Sequence, residues 1–247
     1  MIHIIPPEGR RLIFYLAMEE YFARQRQDVF FTWQTGPTVI CGRNQDINVE
    51  ANLQYCREHD IRVFRRKSGG GTVYSDFGNL MISYVTSISN VEEAFSIYLD
   101  RIVSIMQDLG LDARKSGRND IMIGDKKISG NAFYALLDTK MSIVHGTLLY
   151  FTNMENMLNS ITPSKSKLAS HAVTSVAQRI GLLRDILPSG KYECEGTSVP
   201  KWLLDSVISG FCEGTSQMTA CCEGERYLTE EEIRRIEELE TTYETIN

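Results

Sequence analysis

The segment RRLIFYLAMEEYFARQ (10–25) places Leu12, Phe14, Tyr15, Ala17, Met18, Tyr21 and Phe22 at helical spacing, so a helix is predicted there. Two β-rich runs follow, VFFTW (29–33) and TVICG (38–42), separated by Gly36-Pro37, and the pattern reads as a hairpin. A helix is expected over about 50–59, then a strand IRVFR (61–65) that runs into a glycine-rich stretch, then a long strand NLMISYVTS (79–87). Asn90, with Glu93 three residues on, has the spacing of a capping box for a helix over 91–109 that Gly110 ends. DIMI (120–123) and KKISGNAFY (126–134) flank Gly124-Asp125, a two-residue hairpin signal, and MSIVHGTLLY (141–150) is a further strand.

Beyond residue 150 the pattern turns helical and polar. A helix near 200–212 starts with Pro200, and a last helix starts at Thr229 with Glu232 completing a capping box. Ile233, Ile236, Leu239 and Tyr243 make its apolar stripe. Consecutive strands with short turns predict an α+β fold, a mostly antiparallel β-sheet flanked by helices. No linker or repeat interrupts the pattern, so residues 1–247 are expected to form one domain whose C-terminal third is mainly helical.

Charge adds a contrast. The net charge is −6, which argues against a general nucleic-acid binder, yet Arg62, Arg65, Arg66 and Lys67 crowd the glycine stretch. A local basic patch on an acidic chain points to a specific anion site. Six cysteines show no CxxC and no zinc spacing, and no apolar run approaches the ~20 residues of a membrane span. With no export signal at the N-terminus, a soluble cytoplasmic protein is expected.

Three stretches carry candidate chemistry. In FRRKSGGGTVYSDFGN (64–79), glycines let backbone N–H groups approach an anion, and Arg66 adds a charged donor. The pattern is neither a Walker loop nor a dinucleotide fingerprint, and strand–loop–strand is the expected setting. In SGRNDIMIGDKKISGNAF (116–133), Lys127 is followed by the small residues Ser129 and Gly130, and a lysine beside a phosphate stabilises charge developing in acyl or phosphoryl transfer. In HGTLL (145–149), His145 and Gly146 sit in an apolar strand, a setting equally suited to a pocket wall or a core histidine.

In this order and spacing the three stretches resemble the lipoate–protein ligase A family of the biotin/lipoate ligase superfamily, as do LAMEEYF, TVICGRNQ (38–45) and KLASHAVTSVAQRI (167–180). The resemblance implies a sheet related to class II tRNA synthetase cores. It also implies a two-step reaction: lipoate or octanoate and ATP give acyl-AMP, and the acyl group passes to a lysine of a carrier domain. Carried over by position, Lys127 would contact lipoate and the adenylate phosphate. Arg66, Gly71, Thr72, Val73, Tyr74, Asn79 and Asp120 would face the nucleotide, with Asp120 near Mg²⁺. Ser68, Gly69, Gly70, Ser129, Gly130, His145 and Gly146 would shape the acyl site, with Phe64, Val73, Phe133, Ile143 and Leu148 as candidate apolar walls. Implied partners are the lipoyl domains of 2-oxo acid dehydrogenase E2 subunits and the glycine cleavage H protein.

Two departures stand out. Relatives often carry His where this chain has Ser75, and bacterial relatives often continue into a C-terminal accessory domain for which no room is expected here. A separate accessory subunit, or use of preformed lipoyl-AMP, would follow from the second. The rival readings are a cysteine-dependent octanoyl or lipoyl transferase, although residues 150–193 hold no cysteine and Cys41 lies in TVICG, and a non-catalytic binder of lipoyl-AMP or a carrier domain.

Overall fold

In the computed structural model, residues 1–117, 119–161, 179–188, 192, 196–243 and 245–246 are described. The chain begins with β1 (Ile2–Ile5), α1 (Leu12–Arg24), β2 (Val29–Trp33) and β3 (Thr38–Cys41). Two short helices, α2 (Ile47–Glu50) and α3 (Leu53–Glu58), lead to β4 (Arg62–Arg65), β5 (Val73–Ser75) and β6 (Asn79–Thr86). Helix α4 (Val91–Asp108) is followed by β7 (Ala113–Ser116), β8 (Asp120–Ile123), β9 (Lys126–Leu136) and β10 (Met141–Leu149). The rest comprises α5 (Met154–Ser160), α6 (Leu183–Ile186), α7 (Lys201–Cys212), β11 (Glu225–Tyr227), α8 (Glu230–Glu240) and β12 (Thr245–Ile246).

Eight strands form one sheet in the order β11-β1-β2-β6-β10-β9-β8-β7, and four form a second, β12-β4-β3-β5. Pairing is mostly antiparallel, as the strand pattern predicts; β1 runs parallel to β2 and β11, and β3 parallel to β4. Strands β2 and β3 belong to different sheets, which corrects the hairpin expectation: Gly36-Pro37 marks the step from one sheet to the other. The helix expected over 50–59 is two short helices, capped by Asp46 and Asn52. The tract 167–180 lies outside the described residues apart from its last two positions.

The large sheet has a core on each face. On one, Phe30, Leu80, Ile82, Val144 and Leu148 pack with α4 and α7; on the other, Phe31, Trp33, Val85 and Ile143 pack with α1 and α8. Helix α1 is buried over Leu12–Ala23 because the sheet covers one side and α8 the other. That burial includes two acids, Glu19 and Glu20. The capping box at Thr229 and Glu232 forms as the spacing predicts, and Ile236 and Tyr243 are buried against the α1 face.

Candidate active site

The glycine stretch links two strands of the small sheet. Its anchor is Arg66, whose guanidinium is buried. Nη1 donates to the Ile40 carbonyl (3.0 Å), Nη2 to the carbonyls of Gly69 (2.8 Å) and Gly71 (2.7 Å), and Nε to Ser68 Oγ (3.0 Å). Among the described residues its partners are neutral oxygens, none a carboxylate. Burial lowers its pKa to about 10, so it keeps its charge near neutral pH. The resemblance has Arg66 facing the nucleotide; in the structure its N–H groups hold the loop. Gly70 adopts φ +93°, a left-handed conformation that a side chain would strain. Gly42, from TVICG, lies so close beneath that a Cβ there would fall 2.0 Å from the Gly70 carbonyl oxygen.

Ser68 points inward and starts a chain of directed hydrogen bonds. Its hydroxyl lies 2.7 Å from His145 Nε2, and His145 Nδ1 lies 2.9 and 3.0 Å from the two oxygens of Glu19. Ser83 Oγ donates to Glu19 at 2.6 Å, and Trp33 Nε1 donates to Ser83 at 2.9 Å. The Glu19 carboxylate only accepts, so Nδ1 is the donor on that side, while Nε2 lies against the Ser68 hydroxyl. Ser68, Glu19 and Ser83 have no solvent exposure. A Ser–His–carboxylate row is also the layout of a nucleophilic triad. Here Ser68 is fully covered and accepts a hydrogen bond from Arg66, which makes the row a rigid polar wall.

Lys127 reaches the same face by a different route. Asp120 pairs with Gly130 and Ile121 with Ser129, but Met122 pairs with Lys127, leaving Ile128 as an extra residue in β9. This bulge changes the alternation, so Lys127 and Gly130, three apart, share a face. A Cβ on Gly130 would lie 3.0 Å from Lys127 Nζ, so the lysine folds across that glycine. Its Nζ pairs with Asp120 Oδ1 at 2.7 Å, with both side chains about one-third exposed. Ala132, two residues beyond Gly130, pairs with His145. Gly130 and Ala132 thus lie ~7 Å apart along one face.

Other expected residues are placed elsewhere. Ser129 and Gly146 face α4: Ser129 is bonded to Asn131, and a Cβ on Gly146 would fall 1.8 Å from Asn131 Oδ1 and 2.9 Å from the Tyr98 hydroxyl. Their positions serve packing, because strand alternation sends them away from His145. Tyr74 is buried in the small sheet's core. Asn79 is buried and bonds Asp76, which also accepts from Gly78 N, Thr152 Oγ1 and Asn153 N. Val73 is exposed at the loop's lip, beside Thr72. The five candidate apolar walls divide: Phe64 and Ile143 lie on the α1 side, Phe133 and Leu148 on the α4 side. Ser75 is fully buried, its hydroxyl on Met81 Sδ.

Glu19, Ser83 and Trp33 did not emerge from the motifs. Two adjacent acids inside the apolar helix LAMEEYF were the available signal, since a buried carboxylate needs donors. Cys41 does not fit the cysteine-transferase reading: it is fully buried and burial raises its thiol pKa. Clefts of about 210 and 520 Å³ lie elsewhere, lined by residues such as Gly36, Arg62 and Phe77, or His3, Thr32 and Leu204, and neither touches Ser68, His145 or Lys127. Among the described residues, no helix is long and apolar enough to cross a membrane.

Residues 12–197 match the lipoyl protein ligase A/B catalytic domain. Over 176 residues, 70% of this chain, the sequence is 36% identical to lipoate–protein ligase 1 of Staphylococcus aureus; the match covers 53% of that relative, so the chain spans about half its length. The fold is similar, with TM-score 0.79 and 23% identity, to a bi-partite lipoate protein ligase from Thermoplasma acidophilum, studied with its E2 lipoyl domain, over 97% of this chain and 91% of that one. It is also similar to lipoate-protein ligase A bound with ATP, with TM-score 0.77, 23% identity and coverage of 97% and 93%.

Proposed function

The chain belongs to the lipoyl protein ligase A/B catalytic domain family, and from that premise we propose that it is an ATP-dependent lipoate–protein ligase. It joins lipoate, or octanoate, to AMP and transfers the acyl group to a lysine of a lipoyl carrier domain. Residues 1–247 act as one catalytic domain in the cytoplasm. The acceptors are lipoyl domains of 2-oxo acid dehydrogenase E2 subunits and the glycine cleavage H protein. The observation that carries the reading is Lys127, turned by the β9 bulge over Gly130 onto the face that holds His145.

The chemistry needs no protein nucleophile, because an acyl-adenylate is already activated. The acyl carboxylate must be brought against the α-phosphate and negative charge neutralised. Lys127 supplies a positive charge at an accessible surface, with Asp120 aiming it. Arg66 adds a buried charge beneath the loop, and the open backbone at Gly69 and Gly71 offers the approach to phosphate. Asp120 would share a Mg²⁺ with the phosphates of ATP, and the ion would neutralise phosphate charge; one carboxylate plus substrate phosphates suits this metal. His145, held from behind by Ser68, walls the acyl side.

Two assays on purified chain test this. Lipoate-dependent ATP–pyrophosphate exchange reports adenylation, and lipoylation of an E2 lipoyl domain from synthetic lipoyl-AMP reports transfer. Exchange and transfer are both expected, and both are expected to fall at least ~10²-fold in Lys127→Ala. Transfer without exchange would assign adenylation to a separate accessory subunit. Wild-type transfer in Lys127→Ala would overturn the assignment.

A further inference from the structure

The residue between Arg66 and Ser68 has no part in the chemistry proposed above. Lys67 reaches from the glycine loop to α1, where its Nζ donates to Glu20 Oε2 at 2.5 Å. Glu20 is buried, and its other oxygen accepts from Arg24 Nε at 2.9 Å and Nη2 at 2.6 Å. Tyr243, buried just past α8, completes the group. Its hydroxyl lies 3.0 Å from both Glu20 Oε2 and the Leu16 carbonyl oxygen, and its ring centroid lies 4.1 Å from Lys67 Nζ. Nζ also donates to Thr242 Oγ1 at 3.4 Å. Two residues on, Thr245 pairs with Phe64 and Ile246 with Val63, so this segment leaves the α1 face and joins β4, the strand that runs into the loop.

We propose that Lys67, held by Glu20 and Tyr243, is a positioning residue that seats the glycine loop against α1. The inference rests on the ligase reading only for what the seated loop serves, the approach of acyl carboxylate to phosphate. Arg66 sets the loop's own shape, since its partners Ile40, Ser68, Gly69 and Gly71 lie in the loop and the small sheet. Helix α1 belongs to the other layer and packs on the large sheet that carries Lys127 and His145. Two adjacent loop residues grip two adjacent acids of that helix: Lys67 holds Glu20 directly, and Ser68 reaches Glu19 through His145. One grip leaves a loop free to pivot; two fix its tilt as well as its distance. Without the Lys67 ammonium, Glu20 keeps Arg24 and Tyr243, so the fold stands while the loop loses one of its two ties. A shift of ~1 Å at reacting groups costs up to ~10²-fold in rate, which makes such a seat a kinetic feature.

The test uses the full chain with Lys67→Met, which keeps the apolar stem and removes the ammonium. Arg43 N–H donates to the Ser68 carbonyl at 2.9 Å, so its hydrogen exchange, followed by NMR, reports the seat of the loop whether or not the chain is a ligase. In Lys67→Met that amide is expected to exchange about tenfold faster, with the unfolding midpoint close to wild type. In lipoate-dependent ATP–pyrophosphate exchange, kcat is expected to fall about tenfold, with KM for ATP and lipoate within about threefold. Lys67→Arg, which keeps a charge for Glu20, is expected to restore both readouts, and Tyr243→Phe added to Lys67→Met to lower kcat no further. Unchanged Arg43 exchange in Lys67→Met would overturn the inference, as would an equal acceleration at amides throughout the large sheet, which marks lost global stability. A raised KM at unchanged kcat would overturn it too, by making Lys67 a direct ligand contact. A wild-type chain that neither adenylates nor transfers would strike the ligase reading alone, and Arg43 exchange would still decide this one.

Discussion

Replacing Glu19 by alanine tests whether the Ser68–His145–Glu19–Ser83 row is as buried and coupled as its geometry says. Glu19 has no solvent exposure and accepts from Ser83 at 2.6 Å and from His145 at 2.9 and 3.0 Å. The substitution strands two donors where water does not reach. Each costs ~1–3 kcal/mol, giving a range of ~2–6 kcal/mol. The same contacts open to water would cost far less, because the freed donors would be solvated. Against a domain stability of ~5–15 kcal/mol, the variant is expected to fold with a urea midpoint more than ~1 M lower. Glu19→Gln keeps the volume and one acceptor, so about half the loss is expected. Equilibrium urea unfolding of Glu19→Ala, His145→Ala and the double variant measures the coupling directly, with at least ~1 kcal/mol expected. A Glu19→Ala loss below ~1 kcal/mol, or strict additivity with His145→Ala, would refute the reasoning.

The next expectations come from single contacts. Gly146→Ala drives a methyl into Asn131 and Tyr98 and is expected to cost ~1–3 kcal/mol, read by thermal unfolding. Ser75→His, which restores a family-typical residue, must fit an imidazole where Ser75 has no exposure, so a similar loss is expected; an unchanged melting temperature would show that the site yields. Burial raises the Glu20 pKa, but Lys67, Arg24 and Tyr243 outweigh it, and the net shift is downward. A carboxylate with a depressed folded pKa contributes stability above its unfolded value and loses it as pH falls through the folded one. Wild type is therefore expected to lose this contribution below about pH 4, and Glu20→Gln to flatten that part of the stability–pH curve.

Periodicity made most of the long elements legible, because an apolar stripe at period 3.6 or 2 is a local property. Helices α1, α4, α7 and α8 and the strands β2, β6, β9 and β10 stand close to their expected bounds. The short strands β1, β7, β11 and β12 were not legible, since two to four residues carry little pattern and owe their state to distant partners. The step from β2 to β3 looked like a hairpin because a Gly-Pro turn signals a reversal without saying which sheet receives the next strand. Among the candidate residues, the motifs included Ser68 with His145 and Lys127 with Gly130, pairs that the fold brings together. They could not say that Ser129 and Gly146 face α4, because that depends on strand parity, and parity depends on a one-residue bulge at Ile128 that leaves no mark in composition. Glu19 needed the tertiary fold to supply its partners.

Arg66 has a thermodynamic consequence. A glycine-rich loop ordered only on contact with its ligand would lose ~1–2 kcal/mol of backbone freedom per residue at the moment of binding. By fastening the carbonyls of Gly69 and Gly71 from below, Arg66 transfers that ordering to the folding of the empty protein. Under the proposed function, nucleotide association at this loop would then resemble docking onto a rigid plate, with a small heat-capacity change and a rate set by diffusion and charge.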